Sequence, residues 1–214
     1  MTRGLRTDGL VVATRNLGKL RELRALLAPL GRPVLDLHDV GIPSSVDQDA
    51  LEDAPTFEGN ALAKARYFSA RTEGRAVLAD DSGLCVVALD GAPGVHSRRY
   101  AGAVGPDATV SGANSAKLLA ALEEVDDRRA EFVCAVAYVE SGREVVTHGR
   151  TRGQILRAPA GSGGFGYDPL FWSEELGRSF GEATDEEKAR VSHRARAVAA
   201  LLQALDRAAS GTPG

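Results

Sequence analysis

The chain has 214 residues, 43% hydrophobic and 26% charged, a balance that suits a soluble globular protein of one large domain or two joined lobes. A formal charge of −3 supplies no general basic field, which argues against nucleic acid or an anionic membrane as partner. Anions must then be met by local basic groups. Met1 to Gly9 lacks the apolar core of a signal peptide, and the longest apolar run, Phe132 to Val139, is far short of a membrane span. Cys85 and Cys134 have neither metal nor redox spacing and read as buried reduced thiols, so a cytoplasmic setting is expected.

In chain order, Leu10 to Ala13 reads as a buried first strand that runs into Thr14-Arg15-Asn16-Leu17-Gly18-Lys19. A helix follows with Leu17, Leu20, Leu23, Leu26 and Leu27 on one face, capped by Thr14 or Asn16 and closed by Gly31 and Pro33. The polar loop Gly41 to Pro55 carries Asp47, Asp49, Glu52 and Asp53. A second helix, Phe57 to Thr72, turns Ala61, Leu62, Ala65 and Phe68 inward. Next comes a short strand ending at Asp80, and a further strand is expected over Leu84 to Leu89. Asn114 to Glu123 reads as a helix, and Glu131 to Glu140, apolar on both faces, as a central strand. Short strands are expected at Glu144 to Thr147 and near Arg152 to Leu156. Thr184 with Glu187 has the form of a capping box, and a last helix over Ser192 to Ala208 buries Val198, Leu201, Leu202 and Leu205 before a fraying tail. Strands and helices mix without strict alternation, which predicts an α/β fold with a mixed sheet in a single domain, its core about residues 10–208.

Four places have residue types that suit chemistry. The helix that follows Thr14 to Lys19 offers free N–H groups, two polar side chains and a lysine to a phosphate; a capped surface helix is the alternative. Asp80-Asp81-Ser82-Gly83 is an ordinary turn sequence. On an extended strand the two carboxylates instead face opposite ways, and one of them with Glu52 or a neighbour suits Mg²⁺, a hard cation that takes oxygen ligands. In Gly163-Gly164-Phe165-Gly166-Tyr167-Asp168-Pro169 the glycines permit close backbone approach, while Phe165 and Tyr167 offer faces for a flat ring and Asp168 offers acceptors. A loop packed on its own aromatics is the competing reading. Lys188 and the pair His193-Arg194 are either surface groups or contacts to a phosphate or a purine oxygen.

Together and in order, these strings resemble the inosine triphosphate pyrophosphatase (dITP/XTP pyrophosphatase) family. The resemblance runs from Val11 to about Leu205 and also rests on Thr56 to Ala65, Gly91 to Val95, Arg99 to Gly102 and Ser192-His193-Arg194. It implies a long mixed sheet with flanking helices in two lobes around a central cleft, a homodimer, and Mg²⁺-dependent hydrolysis of ITP, dITP and XTP to monophosphate and pyrophosphate. It further implies that Thr14, Arg15, Asn16, Leu17, Gly18 and Lys19 hold the triphosphate and that Glu52 and Asp81 ligate Mg²⁺. Asp81 would also be the general base, and Ser82 would touch substrate. Phe165, Gly166, Tyr167, Asp168, Lys188, His193 and Arg194 would contact base and phosphate. Two departures stand out: Gly59 replaces the usual Glu before Asn60, and Val87 replaces a common acid. A pyrophosphatase for other modified nucleotides, or a nucleotide-binding module without hydrolysis, are the rival readings.

Overall fold

The computed structural model describes residues 9–210. The expectations for the first eight residues and for the tail beyond Ser210 lie outside that range, as does the side chain of Asp49. Among the described residues the strands are β1 (Leu10–Val12), β2 (Val34–Leu35), β3 (Ala76–Val86), β4 (Arg129–Glu140), β5 (Arg143–Ile155), β6 (Phe171–Ser173) and β7 (Arg178–Ser179). They form one sheet in the order β2-β1-β3-β4-β5-β6-β7. It is mixed: β1 pairs in parallel with β2 and β3, whereas β6 pairs antiparallel with β5 and β7. The helices are α1 (Leu17–Leu27), α2 (Phe57–Ser69), α3 (Asp107–Ala121), α4 (Asp185–Val191) and α5 (His193–Ala209). The described residues divide into two compact units: residues 9–81, 135–148 and 197–210 make one, and residues 82–134 and 149–196 the other.

In the first unit β1 is buried at every position, as the central member of a parallel trio must be. Asn16 caps α1 by accepting the Lys19 N–H, and Leu20, Leu23 and Leu27 form its inward face. Leu17 departs from that face and stands 75% exposed, because the first helical residue lies beyond the packed stripe. Thr56 caps α2 by accepting from Gly59, and the helix ends at Ser69, three residues before its expected stop. Ala61, Ala65 and Phe68 pack on Val11, Val77, Ala79, Ala135 and Ala137 to make this unit's core.

Strand β3 corrects the turn reading of Asp80-Asp81-Ser82-Gly83, for it runs unbroken through all four residues. Its end at Val86 also shortens the expected Leu84 to Leu89 strand, whose last residues form a 3₁₀ turn. Likewise β5 is one strand of 13 residues and not two short ones. It leaves β4 through Ser141 and Gly142, both at positive φ (51° and 79°), the conformation that tight two-residue hairpin turns require. The two-residue strands β2 and β7 are too short to leave a periodic signal.

The second unit packs Leu84, Val86, Leu118, Leu122, Phe132, Ile155, Tyr167, Leu170, Phe171 and Phe180 together. Helix α3 starts at Asp107, earlier than expected, and its buried Asn114 accepts from Ala101 N and donates to the carbonyls of Ser97 and Arg98. The buried Arg128 guanidinium donates to the carbonyls of Leu122, Ile155 and Leu156 at 2.6, 2.7 and 3.0 Å, tying the end of α3 to the end of β5. At the start of α4 both halves of the Thr184–Glu187 capping box form.

Candidate active site

In the first unit β3 carries Asp80 and Asp81, respectively 1% and 6% exposed. Such burial of two adjacent carboxylates is tolerable only where cations and donors meet them. They take different partners, as alternation along a strand requires. Asp80 Oδ2 lies 3.1 Å from Lys19 Nζ, so the lysine after the α1 cap anchors the strand. Asp81 Oδ2 accepts from Asn60 Nδ2 at 2.9 Å, and Asp81 Oδ1 lies 3.5 Å from Lys64 Nζ. The same ammonium contacts Glu52 Oε1 at 2.7 Å. Lys64 therefore bridges the two carboxylates expected to bind a metal.

The charges of this cluster sustain one another. Burial pulls the Lys64 pKa down, but Asp81, Glu52 and Asp80 more than reverse it, leaving the ammonium above its ordinary value. Burial pushes Glu52 up, and Lys64 with Lys19 outweighs that, holding the carboxyl below its ordinary value. The Thr14-to-Lys19 segment is built on its own contacts: Thr14 Oγ1 accepts from Asn16 N at 3.3 Å, and Asn16 caps α1. Arg15 turns away, its guanidinium donating to Gln48 Oε1 and to the carbonyls of Ile42 and Pro43, so it steadies the loop that leads to Glu52.

In the second unit Arg194, 1% exposed, donates from Nη2 to Ser82 Oγ at 2.7 Å. Its guanidinium carbon and Lys188 Nζ lie 5.8 and 4.8 Å from the Phe165 ring centroid. Lys188 also pairs with Asp168 Oδ2 at 2.5 Å, and that oxygen accepts from Phe165 N at 2.7 Å. Asp168 thus shapes the glycine-rich loop. Gly164, at φ +70°, is required there, since a Cβ would fall 2.1 Å from Asp168 Oδ2. The imidazole of His193 stacks on Phe132, with ring centroids 4.7 Å apart. Gly166 holds a positive φ of 62°. Tyr167 corrects the expectation that it offers a face to a ring: its side chain belongs to the core, and its hydroxyl donates to Ser97 O.

A model of the Ham1 family matches residues 10–204. The chain belongs to the Ham1 family. Among its relatives, proteins of Syntrophobacter fumaroxidans and Nitrosomonas europaea, each named dITP/XTP pyrophosphatase, are 49% and 45% identical over 199 residues. These alignments cover 92% of this chain and 82% and 93% of those proteins, respectively. A solved Ham1 protein of Coxiella burnetii shares 38% identity at a TM-score of 0.78, covering 93% of this chain and 98% of that one. A nucleoside-triphosphatase / dITP/XTP pyrophosphatase of Mycobacterium abscessus shares 47% at a TM-score of 0.68, with 91% and 98% covered.

Two residues of this candidate site, Lys64 and Asn60, have no role assigned from the sequence. Their signal is positional. Asn60, Ala61, Lys64, Ala65 and Phe68 follow helical spacing, so both polar residues lie on the stripe that α2 buries. Of the two departures, Val87 stands 53% exposed. Gly59 sits where an ideal Cβ would come within 2.8 Å of Ala54 Cβ, so the loop has closed on that position. Glu58 does not replace the missing acid; it faces His148 Nε2 at 3.4 Å. The described residues also include one trio within metal-binding distance, Asp36, His38 and Asp39. Asp36 Oδ1 there accepts the His38 and Asp39 N–H groups, and Arg24 pairs with both carboxylates, which makes the trio a turn clasp.

Proposed function

We propose that the protein hydrolyses non-standard purine nucleoside triphosphates, dITP, XTP and ITP, to the monophosphate and pyrophosphate. The observation that carries this reading is the buried Asp81 carboxylate, held by Asn60 and by an ammonium it shares with Glu52. Asp81 accepts the proton of the water that attacks the α-phosphorus, a role that contributes about 10²–10⁴-fold. Thr14, Asn16 and the first-turn amides of α1, at Leu17 and Gly18, receive the triphosphate together with Lys19. They offset the charge that grows on the departing pyrophosphate.

Glu52 and Asp81 fit Mg²⁺: both offer hard oxygens, and both already turn toward one cation, the Lys64 ammonium. The ion, when bound, supplies charge neutralisation and orients water. The second group of side chains suits a purine ring with a 6-keto oxygen. Phe165 offers an aromatic face, and Arg194 and Lys188 carry only donors, which meet O6 but repel the 6-amino group of adenine. Sites built on such hydrogen bonds discriminate by up to about 10⁴–10⁵. The homodimer belongs to the same reading on the strength of the family resemblance, and light scattering tests it.

Pyrophosphate release from dITP, XTP and ITP, against ATP and GTP, with Mg²⁺ present, is the deciding experiment. Equal kcat/KM for all five refutes the selectivity, and no release with any of them leaves a binding module. Asp81→Asn is expected to bind nucleotide and lose at least about 100-fold in turnover; near-wild-type turnover would remove Asp81 from the mechanism.

A further inference from the structure

We propose that Asn60 is a positioning residue for Asp81: its amide holds Asp81 Oδ2 and so fixes the plane of the carboxylate. The proposal rests on the functional reading above. Asn60 is fully buried on α2, and both ends of its amide are engaged. Oδ1 accepts the Ala54 N–H at 2.8 Å, while Nδ2 donates to Asp81 Oδ2 at 2.9 Å. A backbone N–H can only donate, so the amide oxygen must face Ala54 and the NH₂ must face Asp81. This fixes the polarity of the contact from chemistry alone. Asp81 Oδ2 therefore accepts from the Asn60 amide, while Oδ1 accepts from Lys64 Nζ at 3.5 Å, so the two residues of α2 hold one carboxylate oxygen each.

The same amide joins two pieces of chain that must agree in position. Ala54 follows Glu52 by two residues, so the bond to Asn60 sets the end of the acidic loop against β3. Glu52 and Asp81 are far apart in sequence, and Asn60 with Lys64 supplies the contacts that register one against the other. A base held by one bonded oxygen keeps its plane. Without that bond the carboxylate can rotate about its Cβ–Cγ bond, and misplacement by about 1 Å costs on the order of 100-fold in rate.

Two substitutions separate this role from simple support of the fold. Asn60→Asp keeps the acceptor for Ala54 but faces Asp81 with a second carboxylate, whereas Asn60→Ala loses both contacts. Steady-state kinetics with dITP and Mg²⁺, run well below each variant's melting temperature, are expected to give a kcat about 10–100-fold lower for both, with KM within about threefold. A tether for the loop alone predicts a near-normal Asn60→Asp. A second readout needs no turnover: urea midpoints of Asn60→Ala, Asp81→Ala and the double variant should be non-additive. Asn60→Asp with kcat within about twofold of the parent, a loss confined to KM, or additive midpoints would each overturn the proposal. A parent enzyme that releases no pyrophosphate overturns the functional reading and the catalytic role of Asn60 with it, an outcome distinct from an active parent with indifferent Asn60 variants.

Discussion

Replacing Lys64 by methionine keeps most of the side chain's bulk and deletes the charge between Glu52 and Asp81. The ammonium is almost wholly inside the first unit, with Asp81 at 3.5 Å and Glu52 at 2.7 Å. Asp81 is the heavier loss, since its side chain is only 8% exposed. Breaking a buried pair by removing one partner costs about 3–5 kcal/mol. The Glu52 side chain is 39% exposed, so water screens it and its share is held to at most about 1 kcal/mol. The hydrogen bond from Asn60 remains on Asp81 and lowers the total, so about 3 kcal/mol is expected, or roughly 6–12 °C in Tm for a protein of this size. Thermal melts of both proteins from pH 8 to pH 3 make the assay. Lys64 is raised and Glu52 lowered in the folded state. Their pairing therefore stabilises at neutral pH, where both are charged, and lapses as pH falls below the ordinary Glu value of 4.5 through the lowered one. The gap between Lys64→Met and the parent should narrow on that acid side by the Glu52 share, at most about 1 kcal/mol. A variant as stable as the parent at pH 7, or a gap of constant size down to pH 3, would refute the reasoning.

Gly164→Ala is expected to raise KM for dITP several-fold with little change in kcat, because its Cβ would push Asp168 off Lys188 and Phe165 N. Kinetics across a substrate series check it, and an unchanged KM counts against the loop's role. Burial pushes the Cys85 thiol up to about 11, with Glu131 adding to the shift. The folded state then keeps a proton that the unfolded thiol releases near pH 9, so stability should fall as pH rises from 9 through 11. Cys85→Ala should flatten that limb in urea titrations at pH 8 and pH 10.

Much of the fold was legible because it is local. The α1 cap at Asn16, the Thr184 box and the inward leucines of α1 all follow from residues within a few positions of one another. Asp80-Asp81 was legible in part: the alternation of their side chains follows from strand geometry, while the persistence of the strand does not. Three polar residues in a row stay extended here because Lys19, Asn60, Lys64 and Arg194 come from elsewhere in the chain to meet them. Such partners leave no mark in the local sequence. Lys64 left a mark that is easily misread, since a lysine on a buried helical stripe resembles an imperfection in the pattern. Tyr167 failed for the opposite reason. It lies between Gly166 and Asp168, and its place in the core, with the hydroxyl on the Ser97 carbonyl, depends on distant parts of the chain.

Arg128 has a consequence of another kind. Its cage is made of three carbonyl oxygens, which do not titrate, while the cluster around Asp81 is made of carboxylates, which do. Burial and the nearby Arg157 lower the Arg128 pKa from its ordinary value, and acid leaves its charge untouched. The rivet between α3 and β5 should hold in acid that has already discharged the carboxylates. Acidification then tells the two clusters apart: the carboxylates beside Lys64 discharge while the Arg128 cage keeps its charge and its three acceptors.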